Sequence, residues 1–354
     1  MGLASWGVER AYFDANASVP PVPEALEAVR RAMDEDWANP TSTHREGQRA
    51  RHRLEEARRS LAEGLGVAPA ELIFCSSATE ALHLLLRGLR PALGDRPASV
   101  FPGEHSACLN PLKDWTAVSF RPEPPEGAAT VVRMAANNET GIRYALPQVP
   151  GALRIRDCAQ AWGKVPLDLD TCDAAVFSGH KMGGPRGAAL LWMRPGLRWE
   201  SPMEGPQERR RRGGTEDLPA ILGLAAAARR IPERLAAHAA LAPLRDAFEA
   251  EVLSWDPAFE VVGRGQDRLP NTSALLLRGH SGEAVQMALD LAGFAVSTGS
   301  ACHSGSVKPS HAILSLGYSE PEARSVLRVS MLPDTSEAQV ARLIGALRKA
   351  LRKD

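Results

Sequence analysis

The chain is short of several things, and each shortage excludes a class. It has five cysteines, Cys75, Cys108, Cys158, Cys172 and Cys302, an odd number with no C-x-x-C pair. That argues against a disulfide framework and against a cysteine-rich zinc site, so no metal is expected. Charge of either sign is not in excess, because Lys plus Arg and Asp plus Glu are both 42. A duplex nucleic-acid binder needs a net basic face, so no direct nucleic-acid binding is expected, nor a polybasic membrane anchor. No apolar run approaches the length of a membrane span. The segment Met1 to Arg10 has no apolar stretch of the kind a secretory signal needs. The expectation is a soluble, cytoplasmic protein with no membrane association.

What is present is a large apolar fraction, 44% of 354 residues, enough for two domains with a sizeable core. Short apolar runs followed by helix-like segments recur through the first two-thirds. Glu71–Cys75 reads as a strand, Ser76–Thr79 as a turn and Glu80–Leu89 as a helix. Further strands are expected near Ala98–Phe101, Val131–Ala135, Leu153–Asp157, Ala174–Ser178 and Ala188–Met193. Strands alternating with helices imply an α/β fold with a mostly parallel sheet covered on both faces. In such sheets ligands sit beyond the carboxyl ends of the strands. A long helical region, roughly Leu218 to Leu253, follows, and a final helix is expected at about Ser336–Leu351. Pro122–Gly127 reads as a loop.

The polar clusters fall at those strand ends. Ser178-Gly179-His180-Lys181, with Gly183-Gly184-Pro185-Arg186-Gly187 after it, places a lysine just beyond a buried strand. A lysine held in a dry site loses proton affinity and becomes a nucleophile toward aldehydes, although the same residues also suit a surface lysine before a glycine-rich turn. Ser77-Ala78-Thr79-Glu80 offers an anion cradle at a helix start, or an ordinary N-cap. Asp157 and Gln160 end a short strand. A carboxylate there can keep a pyridine nitrogen protonated, or cap the next helix. Asn137-Asn138-Glu139-Thr140-Gly141 suits a turn, and its paired asparagines suit a carboxylate or ring oxygen. His105 follows a strand and is either a stacking and proton-shuttling group or structural. Arg328 stands inside an apolar strand, either as an edge residue or as a carboxylate-gripping fork. Arg209–Arg212 reads as a solvated turn or a subunit contact. Ser297 to Ser306 surrounds Cys302 with small polar residues, a composition that cannot pack a core and suits a loop able to bring a thiol to a ligand and away again.

Together these motifs resemble the cysteine desulfurases, pyridoxal-phosphate enzymes of fold type I in the class V aminotransferase group. The resemblance runs from Phe13-Asp14-Ala15-Asn16-Ala17 through Asn39-Pro40-Thr41-Ser42-Thr43-His44 to Arg328. It implies a large cofactor domain over residues 14–236, and a small domain from 1–13 and 237–354 that carries the cysteine loop. It implies that Lys181 holds pyridoxal 5'-phosphate covalently. Ala78, Thr79, Ser178 and His180 would bind the phosphate, joined by Thr215 across a homodimer interface. Asp157 would pair with the ring nitrogen, Gln160 with the phenolic oxygen, and His105 would stack on the ring. Asn138 would contact the cofactor and, with Arg328, bind the carboxylate of L-cysteine. Cys302 would accept the sulfur as a persulfide and pass it to a sulfur-acceptor protein for iron–sulfur, thio-cofactor or tRNA synthesis. Selenocysteine lysis, another class V activity and a non-catalytic paralogue remain as alternatives. The chain departs from the pattern in two shortened segments, between His105 and Asn137 and between Gly141 and Asp157, and in having His303 after the cysteine.

Overall fold

The computed structural model describes residues 10–113, 115, 117–298 and 308–352. The chain divides into two compact units. The larger comprises Val19–Ala135 and Tyr144–Glu233; the smaller comprises Met1–Ser18, Ala136–Arg143 and Arg234–Asp354.

The larger unit is built on seven strands: β1 (Leu72–Cys75), β2 (Ala98–Val100), β3 (Val118–Phe120), β4 (Thr130–Met134), β5 (Leu153–Asp157), β6 (Ala174–Ser178) and β7 (Ala189–Met193). Their order in the sheet is β1-β7-β6-β5-β4-β2-β3. β3, β2, β4, β5 and β6 run parallel, as expected from the strand–helix alternation. β7 runs antiparallel to both its neighbours. The reason lies in the link before it. A parallel return needs a crossover of a dozen or more residues, and the Gly-rich stretch 179–188 is shorter than that, so the chain doubles back. Every residue of β1, β4, β6 and β7 is buried, as a sheet covered on both faces requires.

The helix Ala78–Leu93 covers one face. Its Leu82, Leu85, Leu86 and Leu89 pack in one core with Ile73, Val132, Ile155, Val176 and Leu191 of the strands. Gly88 lies where the Trp199 indole crosses, and a Cβ there would fall 2.1 Å from Trp199 Nε1. The region expected as one helical stretch is three helices, Leu218–Ala228, Ile231–Ala239 and Leu241–Leu253. Pro232 and Pro243 explain the breaks: proline is tolerated in a first turn but breaks a helix interior, so each marks a new start.

A buried ion pair holds the arginine-rich turn of this unit. Glu208 accepts from Arg58 Nη1 and Nη2, both at 2.7 Å, and from Phe74 N at 2.9 Å. It does so while Glu208, Arg209 and Arg210 all take left-handed backbone angles, with φ of 47°, 59° and 63°. Three successive non-glycine residues there are strained, and the paired carboxylate offsets the strain. The run is only in part the solvated turn read from sequence: Arg211 donates to Leu72 O at 2.9 Å and Arg212 to Glu80 Oε1 at 2.7 Å.

The smaller unit has an antiparallel sheet of β8 (Glu260–Val261), β9 (Thr272–Leu276) and β10 (Val326–Ser330), in the order β10-β9-β8. Phe248, Leu289, Leu343 and Leu347 from three helices pack with Leu275, Leu327 and Val329 of this sheet. The last helix, Glu337–Ala350, starts from a Ser336 cap, close to its expected position.

Glu208→Ala strips the buried Arg58 of its bidentate partner, leaving the more exposed Glu55 and Leu72 O, and should destabilise the protein by about 3–5 kcal/mol. A denaturant midpoint measures it. Arg58→Met combined with Glu208→Leu should cost less than Glu208→Ala alone, because no buried charge is then left uncompensated.

Candidate active site

In the larger unit, the residues singled out from sequence gather at the carboxyl ends of β1, β5 and β6. After β1, Ser77 caps the helix Ala78–Leu93, its Oγ accepting from Glu80 N at 3.1 Å. Ala78 and Thr79 are then the first two helical residues, whose N–H groups lie beyond the intrahelical ladder at the positive end of the helix dipole. Arg212 pairs with Glu80 at 2.7 Å at the same end. Thr215, close by in sequence, is exposed.

Asp157 ends β5 and is buried, with Oδ1 accepting from Ala159 N at 2.8 Å. Burial raises its carboxyl above the ordinary range, while the Ala159 N–H and the positive charges of His105 and Lys181 pull it back down. Gln160 is also buried. Its Oε1 accepts from Lys164 Nζ at 2.7 Å, which orients its Nε2 as the donor end. Ser178 ends β6, and Gly179–Lys181 form one turn of 3-10 helix directly after it. His180 is pushed down to about 4 by burial and by the nearby charges of Lys181, Arg186 and Lys164, so its imidazole is neutral at pH 7. Gly179 and Gly184 allow this turn to close: a Cβ on Gly179 would meet Ala188 O at 2.6 Å, and one on Gly184 would meet Gly179 O at 3.0 Å.

His105 is exposed and caps the helix Ser106–Leu112, its Nδ1 accepting from Ala107 N at 3.1 Å. With Nδ1 accepting there, Nε2 is the ring nitrogen that carries a proton.

In the smaller unit, Arg328 of β10 is 3% exposed. Its Nη2 donates to Asp14 Oδ1 at 2.6 Å and its Nη1 to Asn138 O at 3.0 Å. The edge-strand alternative in solvent is therefore excluded. Asn138 lies in a turn built by Asn137, whose Oδ1 accepts from Glu139 N at 2.8 Å and Thr140 N at 2.9 Å. The carboxamide of Asn138 makes no hydrogen bond among the described residues. Cys302 lies outside the described residues.

The aminotransferase class-V family model matches residues 11–118 and 125–343. The chain belongs to the class-V aminotransferase family. Within it the chain sits with the cysteine desulfurases. It is 36% identical to a cysteine desulfurase of Cereibacter sphaeroides over 96% of this chain and 95% of that one. It is 32% identical to the cysteine desulfurase NifS of Azotobacter vinelandii, over 94% and 90%. Among solved structures, a NifS-like protein superposes with a TM-score of 0.86 at 27% identity, over 97% of this chain and 99% of that one. The apo cysteine desulfurase of Thermococcus onnurineus shares the fold, with a TM-score of 0.84 at 21% identity over 96% and 94%. The fold type I architecture read from the sequence is the one observed.

Four of the cysteines of this class-V aminotransferase are poor nucleophiles where they stand. Cys75, Cys108, Cys158 and Cys172 are all buried. Burial pushes the thiols of Cys75, Cys108 and Cys158 well up, and that of Cys172 to about 11. Only a thiolate attacks sulfur. Cys108, the sequence rival near His105, is thereby weakened.

One residue of the site was overlooked by sequence reasoning. Glu104, beside His105, is completely buried and accepts from Met134 N at 2.5 Å. Met134 is the register partner of Asp157 on the adjacent strand. Burial, and then the negative charge of Asp157, push the Glu104 carboxyl from 4.5 to about 8, so it is protonated at neutral pH. The signal available in the sequence was an acidic residue right after an apolar strand.

A carboxyl whose value is raised on folding favours the folded state only while it stays protonated in both states. Its contribution is complete below pH 4.5, is lost as the pH rises toward about 8, and is level above that. Glu104→Gln should therefore flatten the fall in unfolding midpoint between pH 5 and about 8, the window set by this residue. Thermal melts of the two proteins across that range are the measurement.

Proposed function

We propose that this protein is a pyridoxal-phosphate-dependent cysteine desulfurase that converts L-cysteine to L-alanine and carries the sulfur as a persulfide on Cys302. The observation that carries the reading is the pair of adjacent parallel strands β5 and β6, one ending in a buried acid, Asp157, the other in the turn Gly179–Lys181, with the Lys181 charge acting on Asp157.

The residues present fit the cofactor by their chemistry. Asp157 is a buried carboxyl that a protonated ring nitrogen would stabilise as the anion. Gln160 presents an amide donor, its oxygen being taken by Lys164. The helix start at Ala78 and Thr79, the Ser178 hydroxyl and the neutral His180 ring form a donor set for a phosphate. Lys181 is the amine for the aldehyde. When bound, the cofactor supplies an electron sink that makes the substrate's Cα–H acidic.

The chain's own groups do the rest. Arg328 and Asn138 bind the substrate carboxylate and fix which end of L-cysteine enters. Lys181 Nζ takes the Cα proton. His105 moves protons at the substrate. The Cys302 thiolate attacks the substrate sulfur: an S–S bond forms as the Cβ–S bond breaks, and the electron pair left on carbon takes a proton to become the methyl group of L-alanine. No outside oxidant is needed, since the sulfur leaves as a sulfane bound to Cys302. A sulfur-acceptor protein then receives it. We also assign the protein to the cytoplasm and to homodimers in which Thr215 reaches the phosphate of the partner's site; its exposure leaves it available for that contact.

Lys181→Ala should lose the absorbance of the bound cofactor and all turnover. Cys302→Ser should keep the absorbance and its response to L-cysteine, yet release sulfide slower by about three orders of magnitude or more. Mass spectrometry after a brief L-cysteine pulse should find one added sulfur on the Cys302 peptide. The same addition on Cys108, with full turnover in Cys302→Ser, would refute the assignment.

Mixing Lys181→Ala protein with Thr215→Ala protein should restore part of the activity, because a mixed dimer holds one site free of both changes. An active monomer in sedimentation would end the shared-site reading.

A further inference from the structure

The described residues on both sides of segment 299–307 are held by one buried cluster of the smaller unit. Upstream, Ser297 forms an isolated antiparallel bridge with Arg328: Arg328 N donates to Ser297 O at 2.6 Å, and Ser297 N to Arg328 O at 3.1 Å. Downstream, Ser310 Oγ donates to Glu139 Oε2 at 2.5 Å and accepts from Ile313 N at 3.2 Å. That hydroxyl thus caps the helix His311–Ser315 while also reaching Glu139. Ser297, Ser310, Glu139 and Arg328 are 2%, 4%, 7% and 3% exposed. The circle closes through the main chain, because Glu139 follows Asn138, whose carbonyl receives the Arg328 guanidinium.

Glu139 is not needed to make its own turn. Asn137 Oδ1 already accepts from Glu139 N, Thr140 N and Thr140 Oγ1. The Glu139 carboxyl instead turns inward, to a hydroxyl 171 residues away in sequence. Burying a carboxyl is unfavourable unless it is well bonded, and burial does push this one up, against the Ser310 bond and the charges of Arg328 and His311. A glutamate in a turn would ordinarily lie in water, so its inward placement calls for a function other than turn formation.

We propose that Glu139 and Ser310 are positioning residues for sulfur transfer, fixing the downstream stem of the Cys302 segment to the turn that presents Asn138. The Ser297–Arg328 bridge does the same for the upstream stem. Both ends of the segment that carries the acceptor thiol are then referred to the two residues assigned to the substrate carboxylate. The inference rests on the reading of Cys302 as acceptor and of Asn138 and Arg328 as the carboxylate site.

The test uses the full-length holoenzyme with Glu139→Ala, Ser310→Ala, the double variant and Glu139→Gln. Misplacing the thiol should lower kcat for sulfide release on the order of tenfold to a hundredfold, with KM for L-cysteine little changed. Alkylation of Cys302 by iodoacetamide, followed on its peptide by mass spectrometry, should speed up in both single variants. The double variant should be no worse than Ser310→Ala, which already removes both the bond to Glu139 and the helix cap. Glu139→Gln keeps an oxygen that can accept from Ser310 and should retain most of the rate. Lower melting temperature with unchanged kcat and unchanged alkylation would reduce the contact to a structural one and overturn the proposal, as would additive losses in the double variant. Should Glu139→Ala fail to fold, Ser310→Ala, which removes a single hydroxyl, carries the same test. Normal kinetics in these variants alongside an inactive Cys302→Ser would sink this inference alone. Full turnover in Cys302→Ser would sink the acceptor reading and this inference with it.

Discussion

A guanidinium buried inside a protein has to be given anions and carbonyls to bond, or it costs several kcal/mol. Arg328 is that group in the smaller unit, and satisfying it draws together stretches that are remote in sequence. Asp14 comes from the start of the described chain, Asn138 from the middle, and Ser297 and Ala274 meet its main chain from either side. Asn16 reinforces the junction, donating to Asn138 O at 3.1 Å and to Thr272 Oγ1 at 2.9 Å. The discontinuous make-up of this unit follows from these bonds. Residues 136–143 belong to it because their carbonyl and turn geometry serve a charge on β10, even though β4 before them and β5 after them are in the other unit.

The larger unit solves a different electrostatic problem, that of several ionisable groups crowded at the ends of parallel strands. Two acids, Asp157 and Glu104, lie close enough to raise each other's cost of ionisation. For Glu104, burial and then Asp157 outweigh the Met134 N–H and the charges of Arg133 and Arg156, and it keeps its proton. Asp157 is raised by burial too, with the Ala159 N–H, His105 and Lys181 acting the other way. The cations are sorted in the same way. Burial, and then the charges of Lys181, Arg186 and Lys164, keep His180 neutral, which makes it a donor that adds no further positive charge. Protonation states are therefore set by the fold before any ligand arrives, which is the condition for electrostatic catalysis without reorganisation.

Six of the seven strands of the large sheet were legible, most of them because strands buried on both faces read as apolar runs; Val118–Phe120, short and not buried, was not read. Leu153–Asp157 and Ala174–Ser178 fall where the sequence placed them. The candidate site residues of this unit could be named from the sequence because strand ends are local features. The rest depends on contacts that no local pattern encodes. The reversal of β7 came from the length of a link, and the division of the long helical region from two prolines whose effect depends on where each helix starts. The left-handed turn at 208–210 could not be read at all, because glutamate and arginine have no preference for it; it exists because Arg58 lies opposite. Arg328 illustrates the limit well. The sequence showed that a charged residue in an apolar strand needs a partner, and two candidates remained, solvent or an anion. Only the fold supplies Asp14, more than three hundred positions away.

The other cysteines are disfavoured as nucleophiles from two independent directions. In sequence, the criterion is what surrounds a cysteine: Ser297 to Ser306 offers no side chain able to build a core, whereas Cys75 ends a strand, Cys158 and Cys172 lie beside apolar segments, and only Cys108, near His105, stays a rival. In the structure, the criterion is the cost of forming the thiolate. Burial raises that cost for all four described cysteines and leaves none of them able to reach a second protein. These criteria agree because they rest on one physical fact. Residues that pack a cysteine into a core are the same residues that strip it of water, so a thiol that must ionise, meet a substrate and then meet an acceptor cannot be flanked by them.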